Sequence, residues 1–102
     1  MEMKLGNCIF DDKLQTLKNE RNVVLLARKP SLVLRQLLAQ KNELVTREVL
    51  IDSVWDGRTT SLSTMNQTIY LLRKAFKALN DDSVVIKSIR HSGYVLTNET
   101  NC

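Results

Sequence analysis

Residues 64–96 have the sequence TMNQTIYLLRKAFKALNDDSVVIKSIRHSGYVL. In residues 64–79 the apolar side chains recur at three- and four-residue spacings, which places them on one side of a helix. These side chains are Met65, Ile69, Leu72, Phe76 and Leu79. The β-branched run Val84–Ile89, the turn residues 91–93 and the returning residues 94–97 then predict a hairpin. The stretch therefore predicts an amphipathic helix packed on a core and followed by a β-hairpin.

The opposite side of this helix carries a polar arc without an acidic residue. Its members are Asn66, Gln67, Tyr70, Arg73, Lys74 and Lys77. Amide and guanidinium groups hydrogen-bond to base edges, and cations neutralise phosphates. An arc of this kind is also typical of a plain solvated helix surface. The choice between a DNA-binding face and a solvated face depends on the rest of the chain.

Positive charge is concentrated in the C-terminal half of the chain. The 102 residues carry a net charge of +4, with 43% hydrophobic and 25% charged residues, as in an ordinary folded domain. Residues 1–57 hold nine Lys/Arg and eight Asp/Glu, whereas residues 58–102 hold six and three. No acidic residue lies between Arg58 and Asn80. A cation-rich half favours a polyanionic partner through phosphate neutralisation.

We expect a single domain over residues 1–102, with an N-terminal sheet in 1–29, three helices in 30–80 and a hairpin in 83–98. In the first segment, strands are predicted at 3–10, 14–18 and 23–26, separated by polar turns, which indicates an antiparallel meander.

Cys8 is expected in the core of the first strand. Cys102 is the other cysteine and His91 the one histidine, so no zinc or redox site can be assembled. The two thiols allow a disulfide in an oxidising compartment, but without a signal peptide we expect them to be reduced.

Two further helices are predicted before residue 64. Pro30 is expected to open the first, which runs to about Gln40, and Thr46 is expected to cap the second, which runs through Trp55. We expect Trp55 to fill the core, with stacking on a base as the alternative. The residues expected to face inward are Leu34, Leu37, Leu38, Val49, Leu50 and Val54.

Residues 56–63 form an eight-residue connection rich in Gly, Ser and Thr. It is longer than the three- or four-residue turn of a simple helix-turn-helix. It is either slack or an exposed surface for a protein partner. The third helix is expected to begin at Thr64, with Gln67 completing a capping box and Ser61 and Ser63 as competing caps.

No catalytic constellation competes with a binding function. There is no Gly-rich phosphate loop, His91 has no evident Ser or Cys partner, and the paired aspartates at 11–12 and 81–82 fall in predicted turns. We therefore expect neither an enzyme nor a bound cofactor. The longest apolar run, residues 23–27, is too short to cross a bilayer, and we expect a cytoplasmic protein.

Three motifs together resemble the OmpR/PhoB-type winged-helix DNA-binding domain. They are REVLIDSVW at 47–55, LRKAF at 72–76 and IKSIRHSGYVL at 86–96. The resemblance covers nearly the whole chain. It implies an α+β fold, a winged helix-turn-helix with an N-terminal antiparallel sheet, three helices and a C-terminal β-hairpin wing. The NQTI run at 66–69 is more similar to the ToxR/CadC branch, whose DNA-binding domain is commonly tethered to the inner membrane by a following helix.

The resemblance implies sequence-specific binding of double-stranded promoter DNA and regulation of transcription. It places the third helix in the major groove and the wing at the minor groove, and it allows residues 56–63 to contact RNA polymerase. Self-association of two copies side by side on repeated sites is a further partner hypothesis, which the sequence leaves open. The family's contact positions correspond to Gln67, Thr68, Tyr70, Leu71, Arg73 and, in the wing, Arg90. With the polar residues around them, the candidate DNA contacts are Ser63, Asn66, Gln67, Thr68, Tyr70, Leu71, Arg73, Lys74, Lys77, Lys87, Ser88, Arg90 and His91.

Alternatives stay open for several of these residues. Tyr70 and Leu71 stand where many relatives have arginines, and Leu71 either presses on a thymine methyl group or packs beneath the 56–63 loop. Arg90 either enters the minor groove or is a solvated turn residue, and His91 either tunes binding as it gains charge at low pH or has no task. The competing function is a winged helix that binds another regulator or RNA polymerase through residues 56–63.

Overall fold

The computed structural model describes residues 2–58 and 60–98. Its N-terminal part is an antiparallel sheet in the order β1-β2-β3-β4. The strands are β1 (Glu2–Leu5), β2 (Cys8–Asp11), β3 (Thr16–Lys18) and β4 (Val23–Leu25). The prediction of one strand over residues 3–10 is wrong, because Gly6 adopts a φ of 60° and turns the chain between β1 and β2.

Three helices follow the sheet: α1 (Arg28–Ala39), α2 (Arg47–Val54) and α3 (Leu62–Ala78). In the described part of the chain, none of them is long and apolar enough to cross a membrane. α1 begins two residues before Pro30, so this proline does not open the helix as predicted. It lies in the first turn, where its missing N–H would have no helical partner.

The predicted caps of α2 and α3 have different outcomes. The Thr46 cap of α2 is confirmed, since its hydroxyl accepts a hydrogen bond from the Val49 N–H at 3.3 Å. The Thr64 cap of α3 is wrong. Ser61, one of the competing candidates, accepts from the Thr64 N–H at 3.0 Å, and α3 begins at Leu62. The connection between α2 and α3 therefore comprises residues 55–61.

A second sheet contains β5 (Val45–Thr46), β6 (Val84–Ile89) and β7 (Gly93–Asn98) in the order β5-β7-β6. The β6–β7 hairpin is the predicted wing. β5 was not predicted, because two residues carry no alternating pattern. Gly93 was expected in the turn but begins β7, and a Cβ at this position would overlap the backbone of Val45 and Thr46. The α+β winged-helix fold class is confirmed.

One hydrophobic core connects the two sheets and the three helices. The apolar stripe of α3 is confirmed, because all five of its members are buried. Leu34, Leu37, Leu50 and Val54 are also buried as predicted. Three residues are less buried than predicted. Val49 is 37% exposed, and Leu38 and Trp55 are only partly buried against the core.

Asp81 joins the end of α3 to the N-terminal sheet. Its buried carboxylate accepts hydrogen bonds from the Asn7 N–H at 3.0 Å, from the Cys8 thiol at 3.2 Å and from Ser83. Burial alone would raise the pKa of Asp81, but these hydrogen bonds to the charged form outweigh burial and hold the pKa below its usual value.

Cys8 is buried in the core, as predicted. Burial, the hydrogen bond to Asp81 and the charge of that carboxylate raise the pKa of the Cys8 thiol to about 12. A thiol in this environment stays protonated and unreactive. Cys102 lies outside the described residues, so the prediction for the second thiol stays a prediction.

Candidate nucleic-acid interface

The polar arc of α3 is on the surface of the molecule. All six of its predicted members are exposed, whereas the stripe on the other side of the helix is buried. Tyr70, Arg73, Lys74 and Lys77 line a shallow concavity with Ala78. Because the sequence has no acidic residue between Arg58 and Asn80, these cations have no carboxylate neighbour on their own helix. The surface can therefore accept a polyanion.

Thr68 does not belong to this exposed surface. It is 5% exposed, and its hydroxyl donates to the Thr64 carbonyl at 2.9 Å. The spacing of the helix could have indicated this, because Thr68 lies three residues after Met65 and four before Leu72, within the apolar stripe. Its predicted contact with DNA therefore has no support from its position.

Leu71 is 37% exposed and borders a shallow apolar groove. The groove separates α3 from residues 24–30, and its other lining residues include Leu25, Pro30 and Ala78. Among the described residues, none of those that line this groove belongs to the 56–63 loop, so the alternative of packing beneath that loop has no support from them. Leu71 lies next to Lys74 on the border between the polar arc and the groove.

The wing carries exposed cations at its tip and along β6. Arg90 lies in the turn between β6 and β7, and its Nε donates to Nε2 of His91 at 3.2 Å. His91 has a φ of 63°, which turns the chain back. Lys87 and Ser88 are exposed on β6. The hydrogen bond to Arg90 requires the neutral ring of His91, because a protonated imidazole has no free acceptor.

Two side chains of the polar arc contact the wing. The Arg73 guanidinium donates to the Ile86 carbonyl from Nη2 at 2.6 Å and from Nε at 3.2 Å, and Nη2 also donates to the Ser88 hydroxyl at 3.1 Å. The Asn66 side-chain oxygen accepts a hydrogen bond from the Tyr94 hydroxyl at 3.1 Å. Sequence reasoning selected Asn66 and Arg73 as contacts to DNA and did not detect their partners in the wing.

The connection before α3 is anchored at its start. The Lys29 ammonium donates to the Val54 carbonyl at 2.8 Å and lies 5.9 Å from the centre of the Trp55 ring. Positive φ values at Asp56 and Gly57 turn the chain away from α2. Ser63 lies within the first turn of α3 and is exposed. Thr59, in the middle of the predicted 56–63 loop, is outside the described residues.

Comparison with known proteins identifies the family. The profile of the family described as "Transcriptional regulatory protein, C terminal" matches residues 20–96. The chain is 32% identical over 90 residues to the sensory transduction protein BceR of Bacillus subtilis, a match that covers 87% of this chain and 38% of BceR. The chain therefore spans less than two fifths of the length of this relative.

Solved structures share the fold. The DNA-binding domain of E. coli CadC superimposes with a TM-score of 0.82 at 24% identity, covering 94% of this chain and 91% of that one. The Klebsiella pneumoniae RstA DNA-binding domain, solved in complex with the RstA box, gives 0.75 at 21% identity, covering 94% and 96%. These likenesses concern the fold, whereas the profile match assigns the family. The chain belongs to the family of transcriptional regulatory protein C-terminal domains, the OmpR/PhoB-type winged helices that its motifs resemble.

Proposed function

We propose that this domain binds double-stranded promoter DNA in a sequence-specific manner and regulates transcription. The observation that carries the proposal is the exposed polar surface of α3 and the wing, two elements that contain no acidic residue themselves. Asp82 is exposed between them and lines a concavity with Arg73 and Lys77. The RstA DNA-binding domain, which has the same fold, has been solved in complex with the RstA box. A regulator of bacterial promoters acts in the cytoplasm, and we propose that location for this domain.

In the proposed complex, α3 occupies the major groove. Gln67 is exposed near the start of the helix and carries the amide that can pair with an adenine edge. Tyr70, Lys74 and Lys77 contact phosphates, which position the helix without reading sequence. Leu71 offers an apolar surface to a thymine methyl group.

The wing provides the second contact. Arg90 enters the minor groove, where a narrow A·T-rich segment concentrates negative potential and favours a guanidinium group. Lys87 contacts a phosphate beside it. Ser63 and the first turn of α3 offer hydroxyl and N–H groups to a phosphate at the edge of the major groove.

A second function is favoured by the anchored start of the connection between α2 and α3. Lys29 donates to the carbonyl of Val54, the last residue of α2, and this contact fixes the start of the connection. We propose this connection as a surface for RNA polymerase or another regulator, and we propose that two copies can bind side by side on repeated sites. Both proposals are secondary to DNA binding.

The experiment is a selection of binding sequences from a random duplex library, followed by titration of the selected duplex at several salt concentrations. We expect affinity to fall steeply with salt, and Arg90→Ala to weaken specific binding by about 1 to 3 kcal/mol. The matched control is Arg21→Ala, which removes an exposed arginine from the turn between β3 and β4.

Two results would count against the proposal. Unchanged affinity and specificity after Arg90→Ala would refute the wing contact. Failure to enrich any duplex, together with saturable binding of purified RNA polymerase, would favour the protein-interaction function instead.

A further inference from the structure

The recognition surface consists of two elements that are separate in the sequence, and polar contacts join them. α3 supplies Asn66 and Arg73, while the wing supplies the Ile86 carbonyl, the Ser88 hydroxyl and the Tyr94 hydroxyl. The inference drawn from these contacts rests on the proposed binding of DNA.

Arg73 satisfies the open edge of the wing. β6 is the outer strand of its sheet, in the order β5-β7-β6, so carbonyls on its outer side have no strand partner. The Arg73 guanidinium supplies two donors to the Ile86 carbonyl and one to the Ser88 hydroxyl. A planar fork with several donors fixes orientation as well as distance, which a flexible ammonium group does not.

Tyr94 makes the second connection from inside the molecule. It is 3% exposed, pairs with Ser88 across the hairpin and donates to Asn66 at 3.1 Å. Asn66 and Arg73 are seven residues apart, which places them on one side of α3 about 10 Å apart along the helix axis. Two connections at this separation restrict rotation of the wing about either one.

We propose that Asn66 and Arg73 are positioning residues that hold the wing at a fixed angle to α3, so that Arg90 and the exposed face of α3 meet the duplex together. The Asn66 side-chain oxygen and the Arg73 Nε and Nη2 are directed at the wing, and we assign base recognition to Gln67 and Arg90. A wing fixed before binding loses less conformational freedom on association, so contacts at its tip contribute more to affinity.

The first test measures the free protein. Residual dipolar couplings of backbone N–H groups report the orientation of β6 and β7 relative to α3. Tyr94→Phe removes one hydroxyl from a buried ring, and Arg73→Lys keeps the charge but removes the fork. We expect both variants to change the relative orientation, or the spread of orientations, of the wing. Couplings identical to those of the wild type would overturn the proposal, whether or not the domain binds DNA.

The second test is a double-mutant cycle on the selected duplex. Arg90→Ala should weaken binding by roughly tenfold in the wild type, and by less than about threefold in the Tyr94→Phe background, because a loosely held wing gains less from its tip contact. The matched control is Tyr70→Phe, which removes an exposed hydroxyl from α3 and should combine additively with Arg90→Ala. An additive cycle for Tyr94→Phe would overturn the positioning role. If the wild type binds no duplex, the proposed function fails, and the free-protein measurement still decides the connection.

Discussion

The N-terminal sheet and the α3–wing unit use charge in opposite ways. In the sheet, the Lys18 Nζ lies 3.5 Å from the Glu2 Oε2. The Nε of Arg35 in α1 lies 3.6 Å from the Asp12 Oδ2. The Asp11 carboxylate accepts hydrogen bonds from two backbone N–H groups of the following turn. The α3–wing unit, residues 62–98, has acidic residues only at Asp81, which is buried and hydrogen-bonded, and at Asp82, in the connection between α3 and β6. These ion pairs of the N-terminal part stabilise the fold, whereas the cations of α3 have no acidic residue on their own helix and are available to a polyanion.

The largest expected effect is the loss of stability when a buried side chain of α3 is truncated. Phe76 is 3% exposed, so Phe76→Ala should destabilise the domain by about 3 to 5 kcal/mol through lost packing and a cavity. Urea unfolding measures the change. The matched control, Lys77→Ala on the exposed side of the same turn, should leave the midpoint nearly unchanged. Equal stability of wild type and Phe76→Ala would refute the assignment of the two faces.

A smaller effect tests the link between the two regions. Asp81→Ala leaves the Asn7 N–H without its acceptor and should cost about 1 to 3 kcal/mol at pH 7. Since the pKa of Asp81 is lowered in the folded protein, its stabilisation is present above the unfolded pKa of about 4 and is lost as pH falls through the folded pKa. Unfolding measured from pH 7 to pH 3 should show the difference shrinking in acid. A difference independent of pH would contradict the charged carboxylate as its source.

The next prediction concerns the exposed side of the α3–wing unit alone. Lys77→Ala should reduce the slope of log affinity against log salt by about one unit, because one phosphate contact is lost. Specificity among duplexes should be unchanged. Lys13→Ala, in the turn after β2, removes the same charge from the N-terminal sheet and should leave the slope as it is. Equal slopes for wild type and Lys77→Ala would remove this lysine from the interface.

The smallest effect is expected in the N-terminal sheet. Both side chains of the Lys18–Glu2 pair are exposed to solvent, so Lys18→Ala should change stability by less than about 0.5 kcal/mol. DNA affinity should also be unchanged. A loss of DNA affinity comparable to that of Lys77→Ala would mean that the cationic surface extends over this sheet and that the two regions are not distinct.

The elements with strong local patterns were predictable from the sequence. The stripe of α3 has five members at regular helical spacing, and the wing combines a β-branched run with turn residues. Both elements were therefore predicted. Other local signals were present but misjudged. The Gly6-Asn7 pair marked the turn between β1 and β2, and the spacing of Thr68 placed it in the buried stripe.

Tertiary contacts were beyond the reach of sequence patterns. Asn66 and Arg73 carry the amide and guanidinium groups that often contact DNA, and the helical wheel places them on the exposed side. Their partners lie 28 residues away at Tyr94 and 13 residues away at Ile86. Only the packing of the wing beside α3 shows that these exposed polar side chains make hydrogen bonds within the fold.

The most direct measurement of the central claim is an NMR titration of the domain with the duplex selected from the random library. We predict that backbone amide shifts change along the exposed side of α3, at Gln67, Tyr70, Lys74 and Lys77, and at Arg90 in the wing. The chemical shifts of the backbone amides in the N-terminal sheet should stay unchanged. Shift changes concentrated in β1–β4, with α3 and the wing unaffected, would contradict the assignment of the exposed surface of α3 and the wing as the DNA interface.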